Sequence, residues 1–126
     1  MGAGQATLSV LICADRHHAR VIGRHAVGRH SDVSLTGIAV GSVDCVRLAT
    51  ASQPDGLIIW PSADFTSVPS LAESVRRVSP QTVVWLYADE LQEGADFVVP
   101  TSVGVDELMV RVATGLRART LDADAG

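Results

Sequence analysis

Short, largely apolar runs alternate with longer amphipathic stretches along this chain, and that alternation admits few folds. Thr7-Leu8-Ser9-Val10-Leu11-Ile12-Cys13, Val33 to Val40, Leu57-Ile58-Ile59-Trp60, Thr82-Val83-Val84-Trp85-Leu86-Tyr87 and Phe97-Val98-Val99 read as five strands. Runs this apolar leave little for a solvated face, so helices must cover both sides of a parallel sheet.

The intervening stretches supply those helices. One is expected from about Arg16 to Gly28 and another from Val43 to Ala51, behind a Gly41-Ser42 start. A third runs from Pro69 to Val78, with Leu71, Val75 and Val78 at helical spacing and Ser79-Pro80 as its stop. In the last helix Val105, Leu108, Met109, Val112, Ala113 and Leu116 keep one apolar face, and Arg117-Ala118-Arg119 suits its negative end. Residues 120–126, small and polar, read as a disordered tail or linker stub, which bounds the domain to 1–119.

One connection is too short. Eight residues, Ala88 to Ala95, join the fourth and fifth strands, where a parallel crossover needs about a dozen. Either that helix is reduced to a turn or missing, or the strand assignment fails. A missing helix is expected to uncover Trp85, Phe97 or Val99, and an exposed apolar patch of that kind marks a homodimer or partner contact.

The 126 residues fit one domain, and 47% apolar residues can fill a core. No run approaches the ~18 apolar residues that span a bilayer, and the N-terminal Met1-Gly2-Ala3-Gly4-Gln5 lacks the basic region of a secretory signal. Cys13 and Cys45 lie in apolar segments, where reduced core thiols are favoured over a lone disulfide. These features point to the cytoplasm. A formal charge of −4 gives no reason to expect nucleic-acid binding. All ten basic residues are arginine, so any mechanism requiring lysine is excluded.

Three segments resemble the receiver domain of bacterial response regulators. Val10 to His17, containing Ala14-Asp15, is similar to the family's first strand and acidic pair. Leu48-Ala49 through Pro54-Asp55-Gly56 to Trp60 is similar to the stretch ending in the phosphoryl acceptor. Gly94-Ala95-Asp96-Phe97-Val98-Val99-Pro100 is similar to the turn and strand that end in a lysine. The resemblance spans roughly residues 7–117 and implies a flavodoxin-like, doubly wound five-stranded parallel sheet, ordered 2-1-3-4-5.

For activity, the resemblance implies a loss. Phosphoryl transfer to an aspartate needs carboxylates for Mg²⁺, and a hydroxyl and a lysine to read the phosphate. The acceptor position holds Trp60, the hydroxyl position Tyr87 and the lysine position Pro100. Asp55 precedes its strand, at the wrong end of the sheet; Asp64, four residues past Trp60, is the remaining candidate acceptor. The expected module is therefore a pseudo-receiver that neither catalyses a reaction nor takes a cofactor or metal. It acts through a protein partner or homodimer, in an atypical response regulator or ahead of a pilus-assembly or polar-localisation ATPase of the CpaE/TadZ kind.

Other features of the chain carry weaker signals. Gly2-Ala3-Gly4 precedes a strand, and Gly37 and Gly41 form no phosphate-binding motif, so a nucleotide-binding Rossmann enzyme is disfavoured. Arg16, Arg20 and Arg24 share a helical face, with Arg29, His17, His18, His25 and His30 nearby: a solvated face, or a surface for an acidic partner or anionic ligand. A His-cluster metal site is disfavoured, because His17, His18 and His25 lack cysteine or carboxylate neighbours at ligand spacing. Ligands of such sheets bind where the strands' carboxyl ends converge, a rim of Asp15, Arg16, Trp60, Pro61, Tyr87, Ala88, Pro100 and Thr101. There Trp60 either plugs the vacated pocket or, with Tyr87, floors a small-molecule site.

Overall fold

The computed structural model describes residues 8–18, 20, 33–60, 67–90 and 92–125. In chain order these form β1 (Leu8–Ala14), β2 (Val33–Val40), α1 (Ser42–Ser52), β3 (Gly56–Ile59), α2 (Val68–Val78), β4 (Val83–Tyr87), β5 (Phe97–Val99) and α3 (Val105–Ala125). The strands make one sheet in the order β2-β1-β3-β4-β5, with every pairing parallel. Five strands stand where the apolar runs put them, and the sheet is the doubly wound one expected. The first expected helix lies mostly outside the described residues; its opening, 16–18, is helical.

Side chains alternate across the strands and build two cores. Val10, Ile12, Ile58, Trp85, Tyr87 and Val99 face Leu108, Met109, Val112 and Leu116 of α3. On the other side Leu11, Cys13, Leu57, Ile59, Val84 and Leu86 face Cys45 and Ala49 of α1 and Leu71, Ala72 and Val75 of α2. Cys13 and Cys45 are free, buried thiols in this second core. A hydrogen bond with the neighbouring Cys45 thiol, and then burial, push the Cys13 thiol far up.

Local chemistry sets the helix ends. Ser67 Oγ accepts from Ser70 N at 3.2 Å and Pro69 sits in the first turn of α2, where its missing N–H is no loss. α1 closes on Gln53, whose φ of 48° is left-handed. The Gln53 Nε2 then donates to Val78 O at 2.6 Å, tying the ends of α1 and α2.

Two expectations need correction. Helix α3 does not stop near Arg119 but continues to Ala125, because Leu116 to Ala125 contains neither glycine nor proline. No described helix is long and apolar enough to cross a membrane.

The second correction concerns the short connection. None of the described residues in 88–96 is helical, yet Trp85 and Val99 are not uncovered: they are 5% and 2% exposed. They point toward α3, whereas a helix between β4 and β5 would lie on the opposite face, with Val84, Leu86 and Val98. The connection itself closes that face. A Cβ on Gly94 would come within 3.0 Å of Pro69 Cα, so this stretch lies directly on α2. Asp96 Oδ2 accepts from Val84 N at 2.8 Å and from Arg76 at 2.9 Å, pinning it there. What remains open is Phe97, half exposed and stacked on Trp85 at 4.6 Å, together with Val98.

Candidate functional site

Parallel strands end together, so the residues just past β1, β3, β4 and β5 gather on one rim. Asp15 follows β1 and caps the next helical turn: its Oδ1 accepts from His18 N at 2.8 Å, and its Oδ2 from His18 Nδ1 at 2.6 Å. The His18 backbone N–H, followed by the imidazole, holds the Asp15 carboxyl below the usual carboxylate range. Both carboxylate oxygens are thus engaged.

Trp60 follows β3 and stays in register through Trp60 N, which donates to Cys13 O at 2.9 Å. Its half-buried ring occupies the middle of the rim. His18 stacks on it, centroids 4.0 Å apart and planes 30° apart. Tyr87, the last residue of β4, meets it edge-on at 4.9 Å and 85°. The Tyr87 ring is buried, and burial holds its phenol above the ordinary range. Its hydroxyl donates to Val103 O and, at 3.4 Å, to Thr101 O.

Thr101 completes the rim. Its N and Oγ1 donate to Asp89 Oδ1 at 3.0 and 2.7 Å, and these bonds, the hydroxyl first, hold the Asp89 carboxyl below its usual range. The structure thus brings Asp15, Trp60, Tyr87 and Thr101 to one end of the sheet. Arg16, Arg20 and Pro100 are exposed, while Arg24 and Asp64 lie outside the described residues. Asp55 sits at the opposite end, where its Oδ2 accepts from Ser9 N at 2.9 Å and ties β3 to β1.

His18 was not anticipated as part of the rim. Read as one of four histidines on a surface helix, it is instead drawn inward by the carboxylate three residues earlier. The Asp15-x-x-His18 spacing, with a capping residue directly after a strand, was the available signal.

Chemically, the centre of the rim is an aromatic stack of His18, Trp60 and Tyr87. Among the described residues no three His, Cys, Asp or Glu side chains converge as a metal site.

No family model and no curated protein sequence matches the chain. Solved structures do match. One is the signal receiver domain of a protein assigned as the response regulator NarL from Mycobacterium tuberculosis, with TM-score 0.69 and 17% identity over 87% of this chain and 98% of that one. A LuxR-family two-component response regulator from Aurantimonas sp. matches with TM-score 0.73 and 15% identity, covering 90% and 87%. A protein assigned as pilus assembly protein CpaE from Burkholderia thailandensis matches with TM-score 0.58 and 18% identity, covering 86% and 99%. At these identities the likeness is one of fold, and the fold is that of a response-regulator receiver domain.

Proposed function

We propose that this receiver-fold chain is a pseudo-receiver, a regulatory module that acts by binding protein partners without being phosphorylated. The observation that carries the reading is the position of Trp60. It follows β3, where the receiver resemblance puts the acceptor aspartate, and its ring lies between His18 and Tyr87. An indole offers neither a nucleophile nor an oxygen ligand for Mg²⁺. The hydroxyl that should read a phosphate belongs to Tyr87 and is committed to backbone carbonyls. Pro100 stands in the place of the lysine, and the chain has none to substitute. No residue is assigned a catalytic role.

The partner surface proposed is the β5 edge, where Phe97 and Val98 are the exposed apolar residues, and a second copy of the chain is one candidate occupant. The setting is bacterial signalling, transcription control or polar localisation. Trp60 is read as filling the vacated site, since His18 and Tyr87 already pack against its ring, and this argues against a small molecule stacking there. The test is incubation with acetyl phosphate and Mg²⁺ followed by intact mass measurement. No phosphoryl adduct is expected. A stoichiometric adduct, mapped to Asp64 or any other carboxylate, overturns the reading.

A further inference from the structure

His18 and Tyr87 come from different parts of the chain, yet both lie against the same indole. We infer that Trp60 couples the turn after β1 to the loop leading into α3, so that the two loosen or tighten together. The chain of contacts is continuous. Asp15 fixes His18 through backbone and ring; His18 stacks on Trp60; Trp60 meets the edge of Tyr87; and the Tyr87 hydroxyl holds Val103 O and Thr101 O. Thr101 is in turn fixed by Asp89. The Tyr87 ring is 3% exposed and packs in the α3 core, so it cannot shift without disturbing the start of that helix.

His18, in contrast, is only half buried and lies where a partner can reach it. A partner that lifts its imidazole off the indole removes one side of the stack. Trp60 then gains freedom, Tyr87 loses its edge contact, and the carbonyls of 101 and 103 lose a fixed donor. Residues that touch a shared neighbour are non-additive in their energies, and this arrangement places Trp60 as that neighbour. The coupling goes beyond the proposed function, since it holds whether or not any carboxylate accepts a phosphoryl group.

Amide hydrogen exchange on the whole chain, read by NMR at Thr101 and Val103, tests it. These two amides donate to Asp89 Oδ1 and Pro100 O, each at 3.0 Å, so their exchange reports on the loop. His18→Ala keeps the backbone bond to Asp15 and removes only the ring. It is expected to speed exchange at both amides roughly fivefold, with the amides of Leu11 and Ile58 unchanged. In a Trp60→Ala background the same substitution should have no further effect at the two reporters. Trp60→Leu serves as the background if Trp60→Ala does not fold. The inference is overturned if His18→Ala leaves Thr101 and Val103 unchanged, if it speeds the sheet amides equally, or if its effect persists without the indole.

Discussion

Gly115 of α3 lies so close over Trp85 of β4 that a Cβ on the glycine would come within 2.6 Å of the indole ring. That approach lets α3 seat Val112 and Leu116 on the sheet while Trp85 stays under cover. Gly115→Ala raises helix propensity by about 1 kcal/mol, but the clash with a ring in a packed core costs about 1–3 kcal/mol. The expected net effect is destabilisation, read as a lower urea midpoint. The same substitution in a Trp85→Leu background should be tolerated or stabilising. Equal losses in both backgrounds would show that the indole is not the obstacle.

Asp96 stands in for a missing helix by accepting from Val84 N and Arg76 together. Asp96→Ala leaves the part-buried Val84 N–H without its acceptor and should cost about 1–3 kcal/mol. Asp96→Asn keeps an oxygen for Val84 and loses only a surface charge pair, which contributes about 0–1 kcal/mol. Denaturant unfolding of both variants separates the two contributions. If Asn is as damaging as Ala, the ion pair and not the backbone bond anchors the connection.

The Asp15 carboxyl is held below its ordinary value, chiefly by the His18 backbone N–H. A depressed folded-state value means that the stabilisation is present above the unfolded carboxyl's ordinary titration, at pH about 3.9, and lost as pH falls through the lower folded value. The stability gap between the protein and Asp15→Asn should therefore narrow as pH falls below about 4. Urea midpoints across that range provide the measurement. A gap independent of pH down to acid unfolding would mean that the charge on Asp15 contributes nothing.

Phe97 is half exposed, so replacing it should leave the fold intact while changing any assembly. For a homodimer through the β5 edge, Phe97→Glu places two like charges face to face, and the variant should be monomeric at concentrations where the parent is dimeric. Sedimentation velocity at several concentrations reads this directly. A parent that stays monomeric at the highest concentration removes the second copy as the occupant and leaves a different protein partner.

Sequence reasoning located the strands well because the central ones, β1, β3 and β4, are buried on both faces and stand out as apolar runs. Val33–Val40 and Phe97–Val99 coincide with β2 and β5. At β3 the reading was off by one residue at each end: Gly56 enters the strand and Trp60 falls just past it. Gly56 is buried against Leu116, where a Cβ would lie 3.0 Å from a leucine methyl, a constraint set by distant sequence. The sequence expectation puts Trp85, Phe97 and Val99 under the absent crossover helix, whereas Trp85 and Val99 pack in the α3 core on the other face of the sheet. Gly115, small among the inward row of Leu108, Val112 and Leu116, was the clue that a bulky ring faces α3. His18 escaped for a related reason: helical periodicity ranks it as surface, and only its carboxylate partner brings it into the rim.

The brief passage from β4 to β5 also decides which routes lead out of the rim. In place of a crossover helix, a stretch pinned at Gly94 and Asp96 rests flat on α2, and its Asp89 reaches across to Thr101. Motion arising at the end of β4 therefore meets an anchored strap on one side and the first turn of α3 on the other. Within the described residues, α3 is the helix left to carry such motion away from the sheet.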